Sequence, residues 1–183
     1  EKDILNAEID VIRQMGVEIK CGVEIGKDLT IQDLRDQGYK AFFVAIGMQG
    51  GRLAGVPGED AEGVETGISF LHRINQDHTV RLSGETVVIG GGNVAIDVAG
   101  SALRAGSAKV TMLCLEQRDE MPAAKDEVAD ALDDGIELMN GWGPKAILAE
   151  NGRVIAVTFK KCTAVFDADH RFNPQSDESA NVT

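Results

Sequence analysis

The chain is short of positive charge, of aromatic residues and of cysteine. Its 183 residues hold 18 Lys and Arg against 30 Asp and Glu, a formal net charge of −12. Binding to a nucleic-acid backbone needs clustered cations that neutralise phosphates, so nucleic acid is excluded as a partner class. There is one Trp, one Tyr and only three cysteines, Cys21, Cys114 and Cys162, which lie far apart with no CxxC pair. This spacing provides no disulfide framework, no zinc site and no paired-thiol redox centre, and reads as three buried, reduced thiols. His72, His78 and His170 have no second ligand at metal spacing and read as surface residues, so no metal is expected. No apolar run approaches the roughly 18 residues that a membrane helix needs. With no signal peptide recognisable, a cytoplasmic protein without a membrane partner is expected. Because the chain begins at Glu1 and closes on the polar "NPQSDESANVT", it reads as an internal piece of a longer polypeptide.

The apolar pattern that is present alternates between helix and strand periods. Leu5, Ile9, Ile12 and Met15 form a helical stripe that ends at Gly16, and "VEIKCGVEI" alternates as a half-buried strand. Thr30 can cap a second helix through the amides near Asp33, with Gly38 closing it, and "AFFVAIG" reads as a strand covered on both faces. The stretch after it is crowded with Gly50, Gly51, Gly55, Gly58, Gly63 and Pro57 and suits a crossover between domains. "VETGISFLHRINQ" reads as a short helix. The expected division is 1–58, 59–83 as linker and short helix, and 84–183. The expected fold class is α/β, a doubly wound, Rossmann-like parallel sheet with an antiparallel β-meander and a partial second α/β domain.

The most informative stretch is "TVVIGGGNVAIDVAGSALRAG". Val87 to Ile89 form a strand; Gly90, Gly92 and Ala95 fit GxGxxA; Val94, Val98, Ala102 and Leu103 give the following helix an apolar stripe. Gly90 permits the sharp turn, Gly92 lets a pyrophosphate approach the backbone, and Ala95 lets helix and strand pack closely. Together with Gly91, Asn93 and Val94 they would present helix-start amides to the diphosphate, helped by the helix dipole. A second strand, "KVTMLCLE", then ends in Glu116, placed to accept hydrogen bonds from an adenosine ribose. A glycine turn used for packing alone and a merely solvated strand end at Glu116 are the simpler alternatives.

Asp97, one turn into the glycine-following helix, reads as a dipole-stabilising charge rather than a catalytic one. Pro122 suits the first turn of a helix that runs through Leu132 to Gly135. The acidic run "DEVADALDD" reads as a solvated helix face that could also dock a basic partner. Trp142 reads as the start of a strand in a meander whose turn is "ENGR", with stacking on a nicotinamide or adenine ring as the alternative. No catalytic residue can be assigned.

"VVIGGGNVAIDVAGSALRAG", "VTMLCLEQRDEMPA" and "EVADALDDGIEL" resemble the pyridine-nucleotide domain of the glutamate synthase small-subunit family, a branch of the FAD-dependent pyridine-nucleotide oxidoreductases. The segment from Asp3 to Gly47 resembles part of that family's FAD domain, with Ala45, Ile46 and Gly47 standing where the family has an Ala-Thr-Gly-like motif. The resemblance implies hydride transfer between NAD(P)H and FAD, with electrons passed to iron-sulfur centres or a partner subunit, and it is compatible with a homodimer. The family's FAD-binding glycine loop and its Gly-Asp motif are not found, so FAD is expected in the full-length parent and not in this piece. Where the family's NADP users carry a Tyr-Arg-Arg type sequence, this chain has Glu116, Gln117 and Arg118. A carboxylate there repels a 2′-phosphate, so NAD(H) is favoured over NADP(H), and Arg118 keeps NADP(H) as the alternative. A non-catalytic nucleotide-binding or electron-relay module is the second function class. A thioredoxin-reductase-like activity is weaker because its CxxC is missing.

Overall fold

A computed structural model describes residues 2–183, which divide between Gly47 and Met48 into two compact units. In the first unit, α1 (Lys2–Gln14) and α2 (Ile31–Asp36) are the only regular elements among the described residues. α2 forms where the sequence places it: Thr30 Oγ1 accepts from the Asp33 amide, and Asp33 Oδ2 accepts from the Thr30 amide at 2.8 Å, a reciprocal capping box. The strands expected at 17–25 and 41–47 are not formed. A strand exists only as half of a hydrogen-bonded ladder, and the unit offers one isolated bridge, Ile25 to Leu29. The apolar residues meant for a core therefore stay exposed, among them Leu5, Ile12, Phe43 and Ile46. Cys21 is exposed with them, which corrects the expectation of three buried thiols.

The second unit contains the expected α/β layer. After α3 (Gly67–Gln76), the chain runs β1 (Glu85–Ile89), α4 (Asn93–Arg104), β2 (Lys109–Cys114), α5 (Lys125–Asp133) and β3 (Glu137–Asn140). The three strands pair in parallel in the order β1-β2-β3, with Val87 opposite Thr111 and Ile89 opposite Leu113. This is the pairing that the alternation of strand and helix patterns requires. Val110, Met112 and Leu113 on the central strand are fully buried, each adding about 1.5–3 kcal/mol by burial. α4 lies close to the sheet because Ala99 and Ala102 face it, both wholly inaccessible. Its stripe is Ile96, Val98, Ala99 and Ala102, whereas Val94, expected in that stripe, is exposed, as is Asp97.

α5 begins at Lys125 rather than at Pro122. The reason is local: the Ala123 amide donates to Gly91 O at 3.1 Å and the Ala124 amide to Asn93 Oδ1 at 2.9 Å, which holds the preceding segment out across the glycine turn instead of letting it coil.

β4 (Trp142–Glu150), β5 (Arg153–Phe166) and β6 (Phe172–Val182) form a separate antiparallel sheet. The β4–β5 turn is Asn151-Gly152 with φ of 52° and 81°, the left-handed pair that suits a two-residue hairpin. The polar end of the chain is a strand and not a tail: Phe172 pairs with Phe166 and Val182 with Phe159. Its polar alternation is that of an exposed edge strand, which carries little hydrophobic signal.

Candidate functional site: the glycine turn and the end of the second strand

β1 ends at Ile89, and Gly90, Gly91 and Gly92 carry the chain into α4. Gly90 has φ of +145°, outside the range that side chains tolerate well, and a Cβ there would stand 3.3 Å from that of Ala95. The turn is closed by the Gly90 amide donating to Leu113 O at 2.8 Å. Gly91 is buried, and its pro-Cβ position lies 2.9 Å from both Cys114 Cβ and Glu116 Oε2. Gly92 faces open space and supplies no side chain to cap the first amides of α4. Those amides lie at the positive end of a twelve-residue helix, a ready place for an anion.

Asn93 ties the turn to its surroundings. Its Oδ1 accepts from Ala124 and its Nδ2 donates to Glu127 Oε1 at 3.0 Å, joining α4 to the start of α5. Glu116 follows β2, half-buried, with its carboxylate against Gly91. Its carbonyl accepts from Asn140 Nδ2 and from the Gly141 amide, both at 3.1 Å, so the end of β3 fixes the turn that follows β2. Gln117 closes that turn with Glu120, and Arg118 is exposed without a hydrogen bond or ion pair among the described residues. Burial, and then the neighbouring Glu116 charge, push the Cys114 thiol up to about 11; the sulfur accepts from Asn140 at 3.2 Å. Cys114 is therefore an inert thiol beside the site rather than a redox group.

Gly90, Gly91, Gly92, Asn93, Val94, Glu116, Gln117 and Arg118 thus gather at the carboxyl ends of β1 and β2, whereas Ala45 and Gly47 belong to the first unit, both exposed. Trp142 opens β4, half-buried. His72, His78 and His170 are exposed. Ala123, Ala124 and Asn140 were not anticipated: two act through backbone amides, and Asn140 carries no local signal beyond the glycine that follows it.

An open glycine turn between a strand and a helix, with an acid at the end of the next parallel strand, is the arrangement that a dinucleotide site requires, and here Gly92 faces open space. Residues 2–172 match the pyridine nucleotide-disulphide oxidoreductase family, and the chain belongs to it. Among its relatives, the NADP(+)-dependent formate dehydrogenase subunit beta of Moorella thermoacetica is 40% identical over 156 residues, 84% of this chain and 22% of that one. The NAD-dependent dihydropyrimidine dehydrogenase subunit PreT of Escherichia coli is 36% identical over 160 residues, covering 87% of this chain and 37% of the relative. The glutamate synthase [NADPH] small chain of Halomonas elongata is 34% identical over 162 residues, covering 82% and 34%. The chain thus spans well under half the length of these relatives. In fold it is similar to FprA of Mycobacterium tuberculosis in complex with NADPH, with a TM-score of 0.67 at 17% identity over 85% of this chain and 50% of that one. No helix among the described residues is long and apolar enough to cross a membrane.

Proposed function

We propose that residues 84–183 are the nicotinamide-dinucleotide-binding domain of an FAD-dependent oxidoreductase, that 1–58 are a segment of its FAD domain and that 59–83 join the two. The observation that carries the reading is the placement of the Glu116 carboxylate beside Gly91, 2.9 Å from where a Cβ would stand, which brings a ribose acceptor to the turn that would hold the pyrophosphate. A bound nicotinamide supplies or accepts a hydride. The chain's own residues bind and orient it: the glycine turn takes the diphosphate, Glu116 takes the ribose hydroxyls, and Asn93 and Asn140 hold both in place. Its hydride partner in the parent is FAD, with electrons passed on to iron-sulfur centres or a partner subunit. Flavin is assigned to the parent rather than to this chain. NAD(H) is preferred to NADP(H), because Glu116 accepts a 2′-hydroxyl and opposes a 2′-phosphate.

Titration of the purified chain with NADH, followed by nucleotide fluorescence, tests the reading. Saturable one-to-one binding is expected, from a colourless protein that does not oxidise NADH. No binding of either nucleotide, or flavin retained in stoichiometric amount, would overturn it.

A further inference from the structure

We propose that Lys161 is the specificity-determining residue that admits a ribose 2′-phosphate, so that the site accepts NADPH as well as NADH despite Glu116. This rests on the dinucleotide reading above.

β5 sets Lys161 directly opposite Trp142, and the ammonium lies 4.9 Å above the centre of the indole ring. A cation over an aromatic face is attracted by the ring, which favours this position of the ammonium. From there it reaches the end of β3. The point where a Cβ of Gly141 would stand is 3.5 Å from Lys161 Nζ and 2.7 Å from Gln117 Nε2, so the two side-chain nitrogens converge beside this glycine. The Gly141 amide donates to the Glu116 carbonyl at 3.1 Å. The ammonium is thereby brought to the turn that carries the proposed ribose acid, although Lys161 lies far along the sequence on the antiparallel sheet.

Charge strengthens the placement. Lys109, Lys145 and Lys160 each have a carboxylate within ion-pair distance, whereas Lys161 has none among the described residues, in a chain with a net charge of −12. Asp177, its cross-strand neighbour on β6, accepts from the amide and hydroxyl of Ser179 and makes no ion pair with Lys161 among the described residues. Arg118 is likewise exposed and has no hydrogen-bond or ion-pair partner among the described residues. Gln117, which stands where a clamp of two arginines would put a guanidinium, is thus flanked by two cations, one from its own turn and one from β5. An ammonium binds phosphate as a point charge without the bidentate geometry of arginine, so Lys161 offsets the repulsion from Glu116 without abolishing the preference for NADH.

Three proteins, wild type, Lys161→Gln and Lys161→Arg, are titrated with NADH and with NADPH. Wild type should bind both. Lys161→Gln should weaken NADPH roughly tenfold, about what one charged hydrogen bond is worth, and change NADH less than about twofold. Lys161→Arg keeps the charge and should retain NADPH, which separates an electrostatic role from packing on Trp142. An unchanged ratio of NADPH to NADH affinity in Lys161→Gln, an equal loss of both nucleotides, or a wild type that binds NADH alone would overturn the proposal while leaving the dinucleotide site standing. A wild type that binds neither would overturn the dinucleotide reading and this inference with it.

Discussion

Glu116 Oε2 and Gly91 leave no room between them: a Cβ on the glycine would stand 2.9 Å from the carboxylate oxygen and 2.9 Å from Cys114 Cβ. The middle glycine of the turn is therefore held by the strand beside it, and the third glycine by what it must leave open.

That difference separates two substitutions. Gly91→Ala forces Cys114 and Glu116 aside in a buried place and should cost about 1–3 kcal/mol of stability, seen as a lower Tm. Gly92→Val, at φ of −97° with nothing within 4 Å, should leave Tm within a few degrees and weaken NADH and NADPH alike. Thermal melts and titrations of the two variants, set side by side, check this.

Replacing Glu116 and Gln117 by Tyr and Arg exchanges a repelling carboxylate for a phosphate clamp. The expected wild-type preference for NADH, about 1–3 kcal/mol, should narrow or reverse while the pyrophosphate grip is unchanged. Equal affinities in wild type that persist in the double variant would return Glu116 to a solvated strand end.

Asn93→Ala removes one acceptor and one donor, freeing the Ala124 amide and Glu127. A loss of about 1–2 kcal/mol is expected in urea unfolding, typical of hydrogen bonds whose partners are left behind. Faster amide exchange should appear at Ala123 and Ala124 before the rest of α5 is affected.

The Cys114 thiol titrates at about 11 in the folded chain against an ordinary value of 9.0. An acid whose pKa is raised by folding contributes stability below its unfolded value and loses it as pH rises toward the folded one, because the unfolded chain can ionise and the folded chain cannot. Stability should fall between about pH 9 and 11, with a shallower fall in Cys114→Ala. At pH 8, alkylation followed by mass spectrometry should label exposed Cys21 well before Cys114.

The second unit was legible because its signals are local and agree with one another: the apolar strand, the glycine turn, the stripe of α4 and the Asn-Gly hairpin each act within a few residues. The capping box at Thr30 was legible for the same reason. What the sequence concealed depends on partners in space. The stretches 17–25 and 41–47 have strand composition but find no ladder, and composition cannot reveal a missing neighbour. Conversely, the polar end of the chain has weak strand composition and acquires a ladder from β5. Pro122 looked like a helix start because nothing nearby shows that Gly91 and Asn93 claim the next two amides. Asn140 meets the turn after β2, and Lys161 meets Trp142, through pairing across strands, which leaves no trace in their local surroundings.

The stitch between residues 57–62 and the β4–β5 hairpin has a mechanical meaning. Ile147 donates to Pro57 O, the Glu62 amide donates to Gly152 O and the Val154 amide to Glu62 O, and Arg153 meets Glu62 at 2.9 Å across 91 positions of sequence. The chain between those points contains all of β1, β2 and β3, so the parallel sheet hangs in a loop tied at its neck. Tension applied at Thr183 would peel β6 and then unzip β5, one rung at a time, before reaching the knot. The glycine turn after β1 would carry no load until that neck gave way.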